Sequence, residues 1–324
     1  RFRGPDGTVN VEGRLVNPFD PELELVNSFN VKIGLIVDLF ELPFEWEGDA
    51  KGKGRLIRSN GKFAFNSEFS SDTLELNDVY MGNVDGKIDF DEVDGGHVEF
   101  RMRKKDLSRE YLSIRFRGDR LEGSARGFYL DPIMNFISIP WPVSSPAWGD
   151  FSITRRRLRA DIEFRDQILD VDGFNYPFKG QVNVDWDGGK KFSFTSPGLT
   201  SSFADVEFEG EMTVGENIDF TITGEVLDVK LAREFISLVL NKEFKIPEIR
   251  GKGSADLRIF GDFIFPKVQA DFALISVGFD KFDVNSVTGN AEIIKNDFKG
   301  KFDVDDPFVK GKIDLITDME EVKA

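Results

Sequence analysis

Apolar and polar residues alternate along most of the chain, as Leu257 and Ile259 do with their polar neighbours. A period of two places the apolar side chains of a strand on one face of a sheet. Glycine-containing turn sequences at 59–61, 84–86 and 94–96 separate alternating segments. Turns of this kind favour hairpins. The pattern therefore predicts an all-β chain built from antiparallel hairpins.

A short amphipathic helix interrupts the alternation near the middle of the third hundred residues. From Lys230 onward, Leu231, Phe235, Leu238 and Val239 fall on one helical stripe. A proline follows and cannot continue the helix, so the helix is predicted to end before it. The chain therefore combines strands with a few short helices.

Two alternating strands follow that helix. The first is predicted to turn at Gly261 and Asp262, after which Phe263 and Phe265 resume the alternation. This arrangement predicts a hairpin whose second strand begins with two inward-facing rings.

The same order of helix-like segment, proline and glycine-opened strand occurs at 31–56, 131–153 and 230–274. A repeat of roughly 100 residues is long enough for a multi-strand unit. Repeat arrays bury apolar surface between neighbouring units and grow as one elongated body. We therefore predict one continuous array over 1–324, with the tail of a preceding unit at 1–29 and repeats at 30–129, 130–229 and 230–324.

The alternation also identifies the side chains that share the apolar face. In the first half of the chain the inward candidates are Leu56, Phe63, Phe65, Leu74, Leu76, Ile88, Phe90, Val98, Phe100, Met102, Leu112, Ile114 and Phe116. In the middle they are Ile162, Phe164, Val182, Val184, Trp186, Phe192, Phe194, Val206, Phe208, Phe220 and Ile222. In the last part they are Leu257, Ile259, Phe263, Phe265, Phe272, Leu274, Phe279, Val284, Ile293, Phe302 and Val304.

Composition narrows the possible partners. The chain has 58 acidic and 42 basic residues, a net charge of −16, which argues against binding along a nucleic-acid backbone. A basic run at 155–159 is the local exception, and we interpret it as a solvated face. Of the aromatic residues 33 are Phe, against 4 Trp and 4 Tyr, so the apolar face carries few polar atoms.

Catalytic and metal-binding patterns are weak. The single histidine, His97, and the absence of cysteine leave no multi-histidine or thiolate metal site. The glycine-rich run 48–54 misses the spacing of a phosphate loop, and the acidic turn at 89–95 misses that of a calcium loop. We therefore expect no catalytic residue, no cofactor and no metal, and we expect the chain not to be an enzyme.

The phenylalanine-rich face has two interpretations. One is the core of a sandwich or barrel. The other is a groove whose inner surface holds acyl chains, which the repeat and the scarcity of polar atoms favour. Alternation alone fits both.

One stretch of the sequence resembles a known family. The segment Gly251–Leu274, with its step from Gly261 to Pro266 after a short helix, is similar to the β-repeats of AsmA-like and TamB-like proteins of diderm bacteria. The other repeats show the similarity more weakly and lack that step. The chain, which opens on Arg1, is interpreted as a fragment of a longer protein.

The resemblance implies an elongated antiparallel sheet curled into a U-shaped hydrophobic groove in the periplasm. The full-length protein would be anchored in the inner membrane and would conduct phospholipids toward the outer membrane, with partner proteins at both ends. Phospholipid acyl chains would occupy the groove, and no nucleic acid would bind. The alternative is a scaffold for outer-membrane β-protein assembly that pairs its sheet edges with client strands.

Overall fold

The computed structural model describes most of the chain and divides it into two compact units. The described residues are 2–16, 22–34, 46–76, 78–103, 110–131, 143–154, 156–171, 174–239, 249–262, 265–279, 282–294 and 297–318. Unit 1 comprises 1–140 with 146–155, and unit 2 comprises 141–145 with 156–324. Both consist of antiparallel strands, which confirms the predicted all-β class. The U-shaped curvature and the repeat boundaries stay predictions.

The strand bounds follow the alternating segments. In chain order they are β1 Phe2–Gly4, β2 Gly7–Val16, β3 Glu22–Lys32, β4 Trp46–Glu47, β5 Asp49–Ser59, β6 Lys62–Ser71, β7 Glu75–Leu76, β8 Val79–Tyr80, β9 Asn83–Asp91, β10 Gly95–Arg103, β11 Glu110–Arg117, β12 Arg120–Tyr129, β13 Val143–Ser144, β14 Pro146–Thr154, β15 Arg157–Val171, β16 Phe174–Trp186, β17 Lys191–Ser201, β18 Ala204–Thr213, β19 Asn217–Val226, β20 Ile249–Asp262, β21 Pro266–Phe279, β22 Phe282–Ile294, β23 Asp297–Asp305 and β24 Lys310–Asp318. The described helix, α1, spans Val229–Val239.

Unit 1 is a run of antiparallel neighbours in the order β1-β2-β3-β5-β6-β9-β10-β11-β12-β14. The short strands β4, β7 and β8 pair with one another in a separate small sheet, which we call the cover sheet. Sequential strands are thus neighbours nearly everywhere, as hairpin connections require.

Unit 2 follows the same plan. The order is β13-β15-β16-β17-β18-β19-β20-β21-β22-β23-β24, and every pair is antiparallel. Helix α1 lies in the connection between β19 and β20. Each unit is an open run, since no pairing among its described residues joins the first strand to the last.

The turns fall into two sets. At one end of the strands the connections are tight, as at Asn60 and Gly61, whose φ angles of 51° and 74° suit a two-residue hairpin turn. This confirms the turn predicted at 59–61. We call this the hairpin end of each unit. The long connections that carry the cover sheet and α1 lie at the other end, which we call the cover end.

Three predicted turns are placed differently. The turn predicted at 94–96 lies at 92–94, because Gly95 and Gly96 already belong to β10 and pair with Asp91 and Phe90. Residues 84–86 lie inside β9 rather than in a turn, because Gly86 pairs directly with Phe69 and Phe100 across the sheet. The turn expected at Gly261 and Asp262 begins later, since β20 runs through both residues and the chain reverses before Pro266.

The predicted helix near residue 230 is confirmed. Its N-terminus is capped by Asp228, whose Oδ1 accepts a hydrogen bond from the Leu231 backbone N–H at 3.1 Å. The helix-like segments predicted around 35–42 and 132–139 lie outside the described residues. In the ranges that the structure describes, no helix is long and apolar enough to cross a membrane.

Candidate functional site

The apolar faces of the two strand runs form the candidate site. Residues directly opposite each other in an antiparallel pair point to the same face, so the register traces a face from strand to strand. In unit 1 the pairing joins Leu25, Leu56, Phe65 and Phe90 in one row. Comparable rows cross unit 2 from β15 to β24. We call these surfaces the apolar face of each unit.

Most of the inward candidates lie on these faces. In unit 1 the register places there Leu56, Phe63, Phe65, Ile88, Phe90, Val98, Phe100, Met102, Leu112, Ile114 and Phe116. In unit 2 it places there Ile162, Phe164, Val182, Val184, Trp186, Phe192, Phe194, Val206, Phe208, Phe220, Ile222, Leu257, Ile259, Phe272, Leu274, Ile293, Phe302 and Val304. Whether these side chains contact a lipid stays a prediction.

The remaining candidates are placed otherwise. Leu74 is 1% exposed but packs beside the cover sheet, and Leu76 belongs to that sheet. Phe265 lies in the turn before β21, where its backbone N–H donates to the Asp262 side chain, and its side chain is 58% exposed. Val284 pairs with buried Val277. Phe279 lies at the end of β21, while Phe263 falls outside the described residues.

Among the described residues, five pairs of phenylalanines flank a glycine across three adjacent strands, one of them being Phe29–Gly52–Phe69. The other four are in ring contact, an arrangement we call a Phe–Gly–Phe bridge. The bridges are Phe69–Gly86–Phe100, Phe90–Gly96–Phe116, Phe194–Gly210–Phe220 and Phe272–Gly289–Phe302. Their ring centroids are 6.0, 6.2, 5.7 and 5.9 Å apart. Alternate strands lie about 9.6 Å apart, so the rings lean toward each other over the glycine.

The glycines are required by this contact. A Cβ at Gly86 would overlap the Phe69 ring, and one at Gly96 would overlap the Phe116 ring. The rings thus shield the exposed glycine backbone and close the apolar face between strands. The sequence predicts a turn at Gly86, because its two phenylalanine partners lie too far away along the chain to be recognised from the sequence.

Further residues of the apolar face fit the same alternation but are not among the inward candidates predicted from the sequence. They include Phe29, Phe69, Phe151, Met212 and Phe298. Buried serines also lie on the face, and two of them bond to a neighbouring strand: Ser67 Oγ donates to the Lys53 carbonyl and Ser196 Oγ to the Gln181 carbonyl.

A local cover hides the cover end of the apolar face in unit 1. The cover sheet places Trp46 against Phe100, with ring centroids 5.1 Å apart. Leu74 and Met81, each 1% exposed, complete a cluster with Met102. This part of the face is a packed core.

Helix α1 covers the equivalent end of unit 2. Leu231, Phe235 and Leu238 pack against a cluster that contains Tyr176 and Phe203. Phe235 lies 5.3 Å from the Tyr176 ring and 5.0 Å from the Phe203 ring. The predicted helical stripe is therefore the stripe that packs on the sheet.

The hairpin end of each face lies outside the two buried clusters that the described residues form. In unit 1 the half-buried residues there are Phe65, Phe90, Phe116, Leu121 and Ile153. In unit 2 they are Trp186, Phe192, Phe194, Phe220 and Ile259. We call these sets the apolar bands. The rings of Trp186, Phe192 and Phe194 follow one another at 6.0 and 6.3 Å.

The opposite face of each unit is charged. Arg157 and Arg159 both bind Asp185, at 2.6 and 3.1 Å, so part of the basic run at 155–159 is paired there. Hydrogen bonding to Arg157 is the main cause that lowers the pKa of Asp185. Arg258 binds Asp219 at 2.8 Å and likewise lowers the pKa of that carboxyl.

Residues that sequence reasoning considered for chemistry also belong to this polar surface or its turns. His97 lies in β10, where its Nε2 is 2.9 Å from Ser113 Oγ. The acidic turn after β9 is organised by Asp91, whose Oδ1 accepts the backbone N–H groups of Val93 and Asp94. Residues 49–54 of the glycine-rich run belong to β5.

Tyr176 makes the packing under α1 sensitive to alkaline pH. Burial, with a smaller contribution from Glu234, raises the pKa of its hydroxyl above the usual 10.0. A raised folded-state pKa contributes stability below the unfolded pKa that is lost as the pH rises through the folded one. We expect the free energy of unfolding to fall above about pH 10.

In denaturant melts, Tyr176→Phe should remove part of this fall, whereas Tyr111→Phe on the polar face should not. Identical pH profiles for all three proteins would contradict this.

No family model, no curated protein and no solved structure matches this chain.

Proposed function

We propose that this chain is a segment of a lipid-conducting sheet, in which the apolar faces carry phospholipid acyl chains between the inner and outer membranes of a diderm cell. The observation that carries this proposal is the continuity of the apolar face from strand to strand, closed over its glycines by the Phe–Gly–Phe bridges. Enclosed catalytic sites look different, with a few polar groups converging in a pocket.

The chemistry of the bands suits acyl chains. Each methylene removed from water contributes about 0.8 kcal/mol, so many weak contacts offset the cost of leaving a bilayer. Rings that lean over glycines fill the space above the glycine backbone and lower the relief of the surface. Such a surface binds chains of different lengths and holds none of them tightly at one position.

The two faces of each unit have different roles, one in contact with water and the other in contact with lipid. The charged face, in a chain with a net charge of −16, favours contact with water. The apolar bands at the hairpin end supply the contact with lipid, whereas the cover sheet and α1 fill the cover end. Lipid would therefore travel along the bands.

Location and partners follow from the family resemblance and belong to the same proposal. The working protein would lie in the periplasm, with an inner-membrane anchor and partner proteins at both membranes. No nucleic acid takes part.

The proposal is tested by purifying the chain without detergent from a diderm bacterium and measuring bound lipid by native mass spectrometry and solvent extraction. We expect several phospholipids per chain, with mixed acyl compositions, because contacts between rings and methylene groups are non-directional and do not select one chain length. A lipid-free chain would contradict the proposal and identify the apolar face as ordinary core.

Strand pairing with a client protein is a second candidate, and the last strand of unit 2 favours it. β24 pairs with β23, and among the described residues no strand pairs with its other edge. Ile316 on this strand is 76% exposed. An unpaired edge offers backbone hydrogen bonds to an extended segment. Cross-linking of unfolded outer-membrane strands to β24, unaffected by charges placed in the apolar bands, would support this candidate instead.

A further inference from the structure

The apolar faces carry very little charge. Tracing the register through both units gives glycine, alanine, serine and large apolar residues at almost every position. Among positions on these faces whose side chains the structure describes, the charged exception is Arg58, near the end of β5. In a chain with 31% charged residues this placement is a feature that needs a physical reason.

Arg58 lies at the hairpin end of the unit 1 apolar face. Its direct neighbours across the sheet are Leu23 and Phe63. Its guanidinium carbon is 5.5 Å from the centre of the Phe63 ring, within the range of a cation–π contact. Leu56 and Phe65 lie one step further inward along the same strands. A cation thus stands at the rim where the apolar band begins.

Glu92 lies at the same end of the strands and bonds to the backbone of β6. Glu92 Oε2 accepts a hydrogen bond from the Phe63 N–H at 3.0 Å, which fixes the end of β6 against the turn after β9. Phe63 remains 40% exposed and presents part of its ring beside the guanidinium. The rim therefore combines an aromatic surface with a cation.

The Arg58 guanidinium has five N–H donors in a planar fork that matches two phosphate oxygens, so it can hold a phosphate alongside its other contacts. An apolar body attached to that phosphate would find the band immediately inward. The ligand that fits both features is an anionic amphiphile with a phosphate head and an acyl tail.

We propose that Arg58 is a headgroup site, where the phosphate of a phospholipid is held while its acyl chains lie on the unit 1 band. This inference rests on the proposed function. It adds a preference for a phosphate head and fixes which end of the lipid lies at the hairpin end.

The test uses two photoreactive probes that differ only in the head: a dodecyl chain with a terminal diazirine, carrying either a phosphate or a hydroxyl group. After illumination, labelled peptides are identified by mass spectrometry. We expect the phosphate probe to label the unit 1 band at least about tenfold more efficiently than the alcohol, as charge-assisted hydrogen bonds are strong. Unit 2 peptides serve as an internal reference.

The variant Arg58→Met keeps an unbranched apolar side chain and removes the cation. It should lower phosphate-probe labelling of unit 1 to the level of the alcohol probe and leave unit 2 labelling unchanged. The control is Arg55→Met on the polar face of the same strand, where Arg55 binds Glu24 at 2.7 Å. It should retain the preference. Circular dichroism shows whether each variant is folded.

The outcomes separate the two proposals. If neither probe labels the apolar faces of the unaltered chain, the proposed function fails. If both probes label the unit 1 band equally, or if Arg58→Met keeps the preference for phosphate, lipid binding stands and the headgroup site is refuted. Should Arg58→Met unfold, Arg58→Gln replaces it, and a retained preference in that variant again overturns the inference.

Discussion

The variant Phe220→Asp is expected to lose about half of the phospholipid that purifies with the chain, because it places a charge in the unit 2 band and leaves the unit 1 band unaltered. Phe220 forms the Phe–Gly–Phe bridge with Phe194 over Gly210 and also lies 6.4 Å from the Phe208 ring. Its loss removes a large apolar surface and exposes the glycine backbone beneath it. Lipid extraction followed by quantitative mass spectrometry measures the effect.

Thr221→Asp is the matched control. Thr221 is exposed on the opposite face of the same strand, where it pairs with Glu209 and Arg258, so a carboxylate there stays in water and away from the band. This variant should keep its lipid. Comparable circular dichroism spectra establish that both proteins fold. A folded Phe220→Asp protein with normal lipid content would show that the band does not bind acyl chains.

A second large effect is expected from Gly180→Ala, which should lower the free energy of unfolding by about 3 kcal/mol. Gly180 has a φ angle of 141°, which L-residues rarely adopt, and it lies beside the bulges that shift the register of β16. A Cβ there would overlap the carbonyl oxygen of Gly198 on the next strand. Because backbone rather than a flexible side chain is in the way, relaxation is limited. Chemical denaturation measures the loss.

Gly198→Ala provides the comparison, since a Cβ at Gly198 has no heavy atom within 4 Å. This substitution should change the unfolding free energy by less than about 1 kcal/mol. Equal destabilisation by the two variants would mean that glycine content alone, rather than the bulge geometry, sets the stability of these strands.

The face assignments were predictable because they depend on a local rule. A strand has a period of two, so neighbouring apolar residues such as Phe63 and Phe65, or Phe192 and Phe194, must share a face wherever the strand is regular. The hairpin turn at Asn60 and Gly61 was predictable for the same reason, since its chemistry is contained in a few residues.

Glycine positions were harder, because one residue type serves two purposes. Gly61 occupies a turn, whereas Gly86 lies within a strand and receives the rings of Phe69 and Phe100. Nothing adjacent to Gly86 distinguishes the two cases. The reversal after Asp262 was misplaced similarly, since Gly261 remains within its strand and pairs with Pro266.

The positions of the cover sheet, of α1 and of Arg58 depend on contacts between residues that lie far apart in the sequence. Trp46 meets Phe100, and Phe235 meets Tyr176, across sequence separations that alternation does not address. Arg58 follows the alternation of β5 by position but not by chemistry, so an apolar pattern does not assign it to the apolar face. The candidate face was therefore predictable, whereas the division between band and cover was not.

The open order of the strands has a consequence for how such a chain changes length. Among the described residues each strand of a run pairs with its immediate neighbours, so two strands inserted at a tight hairpin enter the run without altering the register elsewhere. An inserted pair keeps the antiparallel alternation and adds about 10 Å to the row of side chains crossing it. Duplication of a single hairpin would thus lengthen the run of strands by one small step and keep the chemistry of both faces the same.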